Sequence, residues 1–417
     1  MTAAQLAPED HPWLADARLQ TVLDALEADG GGARIVGGAI RNAVLGEPVG
    51  DIDIATTETP ERAMALCAKA GLRSMPTGLA HGTVTVLATS SEGTKSFEVT
   101  TLRRDLLTDG RHAEVAFTDD WAQDAARRDF TMNALYCDRS GKVFDPLNGY
   151  QDLITKRIRF VGDPLARVRE DYLRILRLFR FAARYGPQDI DEPSLSACVT
   201  ERDGLDKLSA ERIRQEWFRL IVGKWAVPVV EIMADTGILP YVIGQEISVD
   251  ALSRLAETES FLRLAPDPLL RSFNLSSARR TIVPWLRDHL RLTNAERDRL
   301  EQLVAAGRVT PGLREKERRA VLYRLGPETF RDAVLTTWCR EPVAPDNAVW
   351  RELFSLADEW PIPTFPLRGN DLVELGIPPG PEIGLLLEAL QDLWIASDFS
   401  EDKQALLSRI PALRRGT

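Results

Sequence analysis

Residues 34–56 read RIVGGAIRNAVLGEPVGDIDIAT and combine several local patterns in one short stretch. An apolar segment leads into two adjacent glycines, a helix-forming segment follows, and the stretch ends in the alternation DIDIAT at 51–56. Alternation with a period of two is the side-chain pattern of a strand, so Asp51 and Asp53 are predicted to share one face. The stretch therefore indicates a domain that contains a β-sheet.

The rest of the chain divides into a mixed part and a helical part. Alternating runs at 83–88 and 97–103, separated by helical stretches, extend the strand-containing region to about residue 145. Beyond about residue 150 the strand signals fade and capped helices follow one another. We therefore predict an α+β fold, with a small mixed sheet in the N-terminal part and an all-helical remainder.

Three helix starts are well marked. A helix is predicted over 60–71, where an N-cap threonine precedes a proline and a glycine ends the pattern. The pair Asp-Pro at 163–164 begins a second helix, which is predicted to run without interruption to Gly186. A capping box at 293–296 begins a third helix, which ends near Gly307.

The composition bounds the class of protein. With 417 residues the chain is long enough for nearly three average domains, and 44% apolar residues allow large cores. Its net charge of -10 means that any contact with nucleic acid must come from a local basic patch. The sequence shows no leader-like or membrane-spanning stretch and no C-x-x-C pair among its four cysteines. We therefore expect a cytoplasmic protein without disulfides, a zinc site or a membrane partner.

Asp51 and Asp53 are candidate magnesium ligands. Magnesium takes one or two carboxylates and completes its octahedron with water and substrate phosphates. The same spacing recurs at Asp189-Ile-Asp191 in a predicted loop, so the triplet alone does not define a metal site. Glu98, between apolar neighbours on an alternating run, is a candidate third carboxylate, and a solvent-facing Glu on a half-buried strand is the alternative.

Gly37 and Gly38, with Arg41 in the helix that follows, predict an anion site. Exposed backbone N–H groups, the helix dipole and a guanidinium all favour phosphate, whereas an ordinary tight turn is the alternative. The glycine spacing fits neither G-x-G-x-x-G nor the P-loop, which excludes those two kinds of nucleotide site. A phosphate site beside a carboxylate pair is the arrangement that two-metal nucleotidyl transfer needs.

Two arginine-rich segments lie downstream. Arg127 and Arg128 are predicted either to contact a nucleotide's phosphates or sugar, or to lie solvated on a helix surface. In the predicted helix that ends at Gly186, spacings of three and four place four arginines on one face, with Asp171 one turn before the first. These arginines are Arg174, Arg177, Arg180 and Arg184.

The segment 156–184 has nine Lys or Arg residues against three Asp or Glu residues, a local charge of +6. An amphipathic helix with a basic outer face is the alternative to a binding role.

Together these segments resemble one family, the class II CCA-adding tRNA nucleotidyltransferases and the bacterial poly(A) polymerases that share their fold. The resemblance covers nearly the whole chain. It rests on ordered segments that include GGAIRN at 37–42, GDIDIAT at 50–56, DAARRDFTMNAL at 124–135, VREDYLRILRLFRFAARYG at 168–186, ERIRQEW at 211–217 and PLRGNDLVELGIPPGPEIGLLLEAL at 366–390. It implies a polymerase-β-like nucleotidyltransferase head at 1–148, a helical neck at 149–225, and a body at 226–340 and tail at 341–417 that bind tRNA.

The resemblance also implies a role for each candidate residue. Asp51 and Asp53 would bind Mg²⁺, with Glu98 as the third catalytic carboxylate. The nucleotide would be bound by the glycine turn and by arginines and carboxylates of the head and neck. These residues are Gly37, Gly38, Arg41, Arg127, Arg128, Glu170, Asp171, Arg174, Arg177 and Arg180. Asn42 is a departure, because the family usually has Asp at this position.

A carboxylate beside a guanidinium can distinguish nucleotide bases by hydrogen bonding. Cytosine and adenine each present an amino donor next to a ring-nitrogen acceptor, which Asp171 and Arg174 can match, whereas uracil and guanine present the reverse order. The implied function is template-independent addition of C, C and A to the 3′ end of tRNA from CTP and ATP, by a monomer. Residues 104–118 resemble the flexible loop of full CCA-adding enzymes. The alternatives are a poly(A) polymerase and a catalytically silent RNA-binding relative.

Overall fold

The computed structural model describes residues 2–108, 113–244, 247–277 and 279–414. The chain forms two compact units, Met1–Val242 and Ile243–Thr417. This division is coarser than the four segments predicted from the sequence, so the boundaries at 148, 225 and 340 stay predictions.

Strands within the described residues all lie in the first unit. They are β1 (Thr2–Gln5), β2 (Ala33–Val36), β3 (Asp53–Thr56), β4 (Arg73–Gly78), β5 (Thr83–Ser90), β6 (Gly93–Thr101), β7 (Arg103–Thr108), β8 (Ala113–Phe117), β9 (Tyr136–Cys137) and β10 (Lys142–Phe144). Eight of them form one sheet in the order β1-β10-β9-β2-β3-β6-β5-β4, and β7 pairs with β8 as a separate antiparallel ribbon.

The main sheet is mixed, as predicted. Strands β3 and β6 are parallel, and the other neighbouring pairs are antiparallel. With eight strands it is larger than the small sheet expected, because β1 and the short strands β9 and β10 extend one edge.

Helices follow in both units. They are α1 (Ala17–Glu27), α2 (Gly38–Val44), α3 (Pro60–Lys69), α4 (Trp121–Ala126), α5 (Gly149–Ile154), α6 (Pro164–Glu170), α7 (Leu173–Tyr185), α8 (Glu192–Thr200), α9 (Ala210–Ile221), α10 (Ala226–Asp235), α11 (Pro240–Ile243), α12 (Val249–Phe261), α13 (Pro268–Asn274), α14 (Arg279–Leu290), α15 (Asn294–Ala306), α16 (Glu315–Trp338), α17 (Ala348–Glu359), α18 (Gly369–Glu374), α19 (Pro381–Ala396) and α20 (Lys403–Leu413). Helix α16 is kinked at Gly326, whose φ of 73° is not helical, just before Pro327.

Different elements pack on the two faces of the main sheet. Ile52 and Ile54 are buried while Asp51 and Asp53 are exposed, which confirms the alternation predicted at this stretch. Helices α1 and α3 pack against β5 on the apolar face. On the opposite face a cluster that includes Tyr136 packs over β2 and β9.

Two of the predicted helices are confirmed. Helix α3 begins after Thr59, whose hydroxyl accepts a hydrogen bond from the Arg62 amide at 3.4 Å, and it ends before Gly71. Helix α15 begins with the predicted capping box, in which the Glu296 amide donates to the Thr293 hydroxyl and the Thr293 amide donates to the Glu296 carboxylate.

The prediction of one helix from Pro164 to Gly186 is wrong. Helix α6 ends at Glu170, Asp171 has an extended backbone with φ of -156°, and α7 begins at Leu173. Asp171 fixes this break itself, because its side-chain oxygen accepts a hydrogen bond from the Leu173 amide at 3.1 Å.

The segment predicted as a loop, 104–118, also differs from expectation. Its described parts belong to the paired strands β7 and β8, and residues 109–112 lie outside the described residues. Backbone pairing between Arg103–Thr108 and Ala113–Phe117 makes these described parts a two-stranded ribbon.

In the described residues of the second unit the regular secondary structure is helical, apart from one isolated bridge contact. Its C-terminal part has a core of its own around Trp394 and Leu390, to which α18, α19 and α20 contribute. Within the described ranges of the whole chain, no helix is both long and apolar enough to span a bilayer.

Candidate active site

Asp53 and Glu98 lie directly beside each other on the parallel strands β3 and β6. Both residues are exposed, while the next residues along each strand, Ile54 and Val99, are buried. Asp51 precedes β3 by two residues and is also exposed. The structure therefore brings the three predicted carboxylates to one face of the sheet.

The charge around Asp53 is dominated by these neighbours. Desolvation by the surrounding strands raises the pKa of the Asp53 carboxyl although the side chain opens to solvent, and the charges of Glu98 and Asp51 raise it further. Arg128 opposes this rise. A carboxylate in such surroundings gains stability when a cation approaches.

No group of three or more His, Cys, Asp or Glu side chains in the described part of the chain is arranged to hold a metal ion. Asp51, Asp53 and Glu98 therefore do not form a three-ligand cluster by themselves. Two carboxylates suffice for magnesium when substrate phosphates and water supply the other ligands, and the exposed pair at Asp51 and Asp53 fits that requirement.

The second triplet of the same spacing has a structural role. Asp191 is buried, caps helix α8 by accepting from the Ser194 amide, and pairs with Arg157 at 2.6 Å. The pairing leaves the Asp191 carboxylate no open face for a ligand.

The glycine turn lies between β2 and α2. Gly37 has φ of 71°, a left-handed conformation that favours glycine, and an added Cβ would lie 4.0 Å from Nη1 of Arg128. Arg41 donates a hydrogen bond to Oδ1 of Asn133 at 2.6 Å, and its guanidinium lies over the ring of Phe181. The turn and both predicted arginines are thus close together, with Arg41 already held by Asn133.

One buried carboxylate holds both Arg127 and Arg128. Asp124 is 1% exposed and pairs with Arg127 at 2.7 Å and with Arg128 at 2.9 Å. Burial favours the neutral acid, but Arg128, Arg127 and the hydroxyl of Tyr136 outweigh it and lower the pKa of Asp124. The two arginines are therefore fixed in place, which contradicts the solvated alternative.

Asp129 connects this segment to α7. Its carboxylate accepts from Nε of Arg177 at 2.8 Å, from the Asn133 side chain at 3.1 Å and from the Phe130 amide at 2.8 Å. Burial alone would raise the pKa of Asp129, but Arg177 and these hydrogen bonds lower it to about 2. Because Asn133 also binds Arg41, one network runs from α2 to α7.

The predicted base-reading residues have partners other than those expected. Arg174 pairs with Glu170 and donates to the Arg167 carbonyl at 2.8 Å, whereas Asp171 pairs with Arg212 of α9 at 2.7 Å. The helix that was predicted to place Asp171 one turn before Arg174 is broken at Asp171, and each of the two residues has a separate ion-pair partner. Their joint role in reading the base stays a prediction.

The remaining arginines of α7 face other carboxylates. Arg180 pairs with the buried Glu216 of α9, which also lies 3.7 Å from Arg177. Arg184 pairs with Glu47 and lies 3.3 Å from Oδ1 of Asn42.

Asn42, the departure from the family pattern, uses both ends of its amide. Its oxygen accepts from Arg41 and Arg184, each at 3.3 Å, and its nitrogen donates to the Pro48 carbonyl at 3.0 Å. An aspartate would lose the donor, so the amide suits this position.

A cavity of about 380 Å³ lies between the ribbon, α4 and α6. Its lining includes two predicted residues, Arg127 and Glu170, and two arginines that sequence reasoning missed, Arg104 and Arg167. Arg167 donates to Glu170 at 2.8 Å and to the Ala126 carbonyl, so it connects α6 to α4.

Several partners of the predicted residues were not found from the sequence. They are Asp124, Asp129, Asn133, Arg212 and Glu216, all of which lie in segments quoted for the resemblance. The available signal was their place in two quoted segments: Asp124, Asp129 and Asn133 lie in DAARRDFTMNAL, and Arg212 and Glu216 lie in ERIRQEW.

Comparison with known proteins agrees with this geometry. The profile of the family described as "Poly A polymerase head domain" matches residues 33–159. A second profile, "Probable RNA and SrmB- binding site of polymerase A", matches 189–248. The two matched regions contain the sheet face with its carboxylates and helix α9, respectively.

Similarity to individual proteins extends over most of the chain. The "CCA tRNA nucleotidyltransferase 1, mitochondrial" of Homo sapiens is 34% identical over 389 residues, covering 90% of this chain and 86% of that protein. The "CCA-adding enzyme" of Leuconostoc citreum is 31% identical over 404 residues, covering 93% and 94%. The crystal structure of the Bacillus stearothermophilus CCA-adding enzyme in complex with CTP is 27% identical, with a TM-score of 0.71 and coverage of 96% and 98%.

A mixed sheet that carries exposed carboxylates beside a glycine turn and fixed arginines, matched by the head-domain profile, defines a nucleotidyltransferase. Within that class, the chain belongs to the family of CCA tRNA nucleotidyltransferases, or CCA-adding enzymes, whose head domain is shared with poly(A) polymerases.

Proposed function

We propose that this chain adds C, C and A to the 3′ end of tRNA, with CTP and ATP as substrates. The observation that carries the proposal is the exposed carboxylate row of Asp53 and Glu98 beside Arg128 and the Gly37 turn. The proposal is also supported by relatives, because about nine-tenths of the chain is similar to proteins named as CCA tRNA nucleotidyltransferase or CCA-adding enzyme.

Membership of the family implies use of a divalent metal, and we propose that it is Mg²⁺, held by Asp51 and Asp53. When bound, the metal supplies Lewis-acid stabilisation of the phosphates and of the attacking hydroxyl. The chain's own contribution is to keep Asp53 desolvated and surrounded by like charge, which favours capture of a cation together with a triphosphate. Glu98 lies beside Asp53 and acts as the third catalytic carboxylate.

The triphosphate is proposed to bind at the Gly37-Gly38 turn. Its partners there are the backbone of the turn, Arg41 of α2 and one or both of Arg127 and Arg128. Asp124 contributes by holding the last two in fixed positions before substrate arrives, so less side-chain entropy is lost on binding.

Base selection is proposed to rest on Asp171 and Arg174, with Glu170 as the residue that orients Arg174. A carboxylate acceptor and a guanidinium donor match the Watson–Crick edges of cytosine and adenine. In the structure each of the two makes an ion pair with another residue, Arg212 for Asp171 and Glu170 for Arg174. These pairs hold the two reading groups in position, and Arg177 and Arg180 hold α7 beside Asp129 and Glu216.

The test is an extension assay on tRNA that lacks its three terminal nucleotides. We expect CTP to be required first, ATP to be incorporated only after two C residues, and addition to stop there. Because the matched head profile carries the poly A polymerase name, the second candidate is addition of A-tails. Long A-tails on an unstructured oligonucleotide, with CTP ignored, would favour that candidate, and no incorporation at all would favour a silent relative.

Three finer points stay predictions: the monomeric state, the cytoplasmic location and the use of ATP. One relative is named as mitochondrial.

A further inference from the structure

The sheet face that carries Asp53 and Glu98 is covered at one end and open at the other. Over β2 and β9 the cluster around Tyr136 and Ala125 covers it. Beyond Glu98, on β5 and β4, the same face carries exposed or half-buried side chains. The carboxylates therefore lie at the border between a covered and an open surface.

The strand register defines a row across this border. Asp53 lies beside Glu98, Glu98 beside Thr85 of β5, and Thr85 beside Met75 of β4. Directly paired residues of neighbouring strands point to the same face, and each strand adds about 4.8 Å. Thr85 and Met75 are thus about 5 and 10 Å from Glu98 along the row.

The open part of the face is polar, with two apolar side chains and one cation. We define the open sheet face by Arg73, Met75, Thr77, Thr85, Leu87 and Ser96. Met75 is 42% exposed, and the hydroxyls of Thr77 and Thr85 lie 2.9 Å apart. Arg73 is exposed, and among the residues that the structure describes its guanidinium makes no ion pair.

We propose that the open sheet face binds the last nucleotides of the RNA whose 3′-hydroxyl is extended. This inference rests on the proposed function. The triphosphate side of the carboxylates is defined by the Gly37 turn and Arg128, so the hydroxyl that attacks it has to approach from the other side. The open sheet face is the surface that continues the carboxylate row in that direction.

The side chains on this face suit single-stranded RNA. Arg73 provides a forked donor for a phosphate, and threonine hydroxyls donate to or accept from phosphates and 2′-hydroxyls. Met75 and Leu87 offer apolar contact for the face of a base. The occupant is therefore a short RNA end held by its backbone, which agrees with a primer whose terminal base changes from one addition to the next.

A peptide strand is the other occupant to consider, because β4 is the edge of the sheet. Pro76 lacks an amide donor, and the pairing of β4 shifts register between Met75 and Gly78. Both features disfavour the addition of another strand at this edge. An RNA strand that binds on the open sheet face makes no backbone pairing with β4, so these two features do not disfavour it.

The experiment measures binding of tRNA lacking its CCA end, without nucleotide, together with the KM values for tRNA and CTP. The variants are Arg73→Ala and Thr85→Val, and the matched control is Thr89→Val. Thr89 lies on the same face of β5, and its hydroxyl is 3.0 Å from that of Thr94. It is four residues, or about 13 Å, farther along the strand than Thr85.

We expect Arg73→Ala to weaken tRNA binding at least fivefold and to lower the slope of log K against log salt by about one. Thr85→Val raises the KM for tRNA at least twofold. The KM for CTP stays within twofold in both variants, and Thr89→Val matches wild type in every measurement.

A second RNA, shortened by two further 3′ nucleotides, locates the contact. Wild type and Arg73→Ala should bind it equally, because the nucleotides that reach the open sheet face are absent. Three outcomes would each overturn the inference. Arg73→Ala could weaken binding of both RNAs equally, both variants could behave like wild type, or the variants could raise the KM for CTP and not the KM for tRNA. A wild-type protein that binds the tRNA end more tightly than Arg73→Ala does, and yet never adds a nucleotide to it, would support the inference and contradict the proposed function.

Discussion

Asp129 and Arg177 form an ion pair across the two segments that the sequence marks as nucleotide-binding, with Nε of Arg177 2.8 Å from the Asp129 carboxylate. Asp129 follows the two arginines held by Asp124, and Arg177 lies on α7 between Arg174 and Arg180. The pair therefore fixes the residues proposed to bind phosphates relative to those proposed to read the base.

The first prediction concerns acid stability. The pKa of Asp129 is about 2 in the folded chain, against an ordinary value of 3.8. A lowered carboxyl pKa stabilises the fold above pH ~4, and the stabilisation is lost as pH falls from about 4 to about 2. Asp129→Asn should remove roughly 2 kcal/mol of this pH-dependent stability. Urea unfolding of the variant between pH 2.5 and pH 6 should show a flatter dependence than wild type, and an unchanged dependence would contradict the assignment.

The second prediction concerns Asp124. Asp124→Ala leaves Arg127 and Arg128 without their shared buried partner, so we expect a loss of about 3 to 5 kcal/mol in the free energy of unfolding. Asp119→Ala, an exposed position in the same segment, should change stability by less than about 0.5 kcal/mol. Equal stabilities of the two variants would show that the arginines do not depend on Asp124.

The third prediction concerns base choice. Asp171→Ala should relax selection against UTP by about 1 to 3 kcal/mol in kcat/KM, because one half of a bidentate contact is removed. Arg212→Met should produce a smaller loss of selection, since it removes only the group that holds Asp171. Arg169→Met, an exposed arginine paired with Glu201, is the control. Wild-type selectivity in both Asp171→Ala and Arg212→Met would place base reading elsewhere.

Local pattern accounts for much of the fold and for part of the site. The alternation around Ile52 predicted which side chains are buried, and the caps at Thr59 and Thr293 predicted two helix starts. These features depend on residues that are close in sequence. Glu98 was found in the same way, because its neighbours on β6 are apolar.

Long-range pairing could not be predicted in the same manner. No proline or glycine marks the break at Asp171. The break depends on the hydrogen bond from the Leu173 amide to Asp171 and on the contact of Asp171 with Arg212, 41 residues away. The arginines of α7 look alike in sequence, yet Arg177, Arg180 and Arg184 pair with carboxylates from different segments. The strands at 103–108 (RRDLLT) and 113–117 (AEVAF) were missed because both are short and neither alternates regularly between polar and apolar residues.

The electrostatics of Asp53 lead to a prediction on stability as well as activity. Its pKa is raised by desolvation, Glu98 and Asp51, so the ionised carboxylate destabilises the fold at neutral pH. Asp53→Asn should therefore leave the Tm unchanged or raise it, measured without metal. A lower Tm would show that the Asp53 carboxylate has a structural role.

The most direct test of the central claim is turnover of Asp53→Asn on tRNA lacking its CCA end, with CTP, ATP and Mg²⁺ present. Glu61→Gln, an exposed carboxylate in the first turn of α3, is the control. Loss of one carboxylate from the metal pair should remove several kcal/mol of charge stabilisation. We predict at least a thousandfold lower turnover for Asp53→Asn and wild-type turnover for Glu61→Gln. More than a tenth of wild-type turnover in Asp53→Asn would contradict the assignment of this face as the active site.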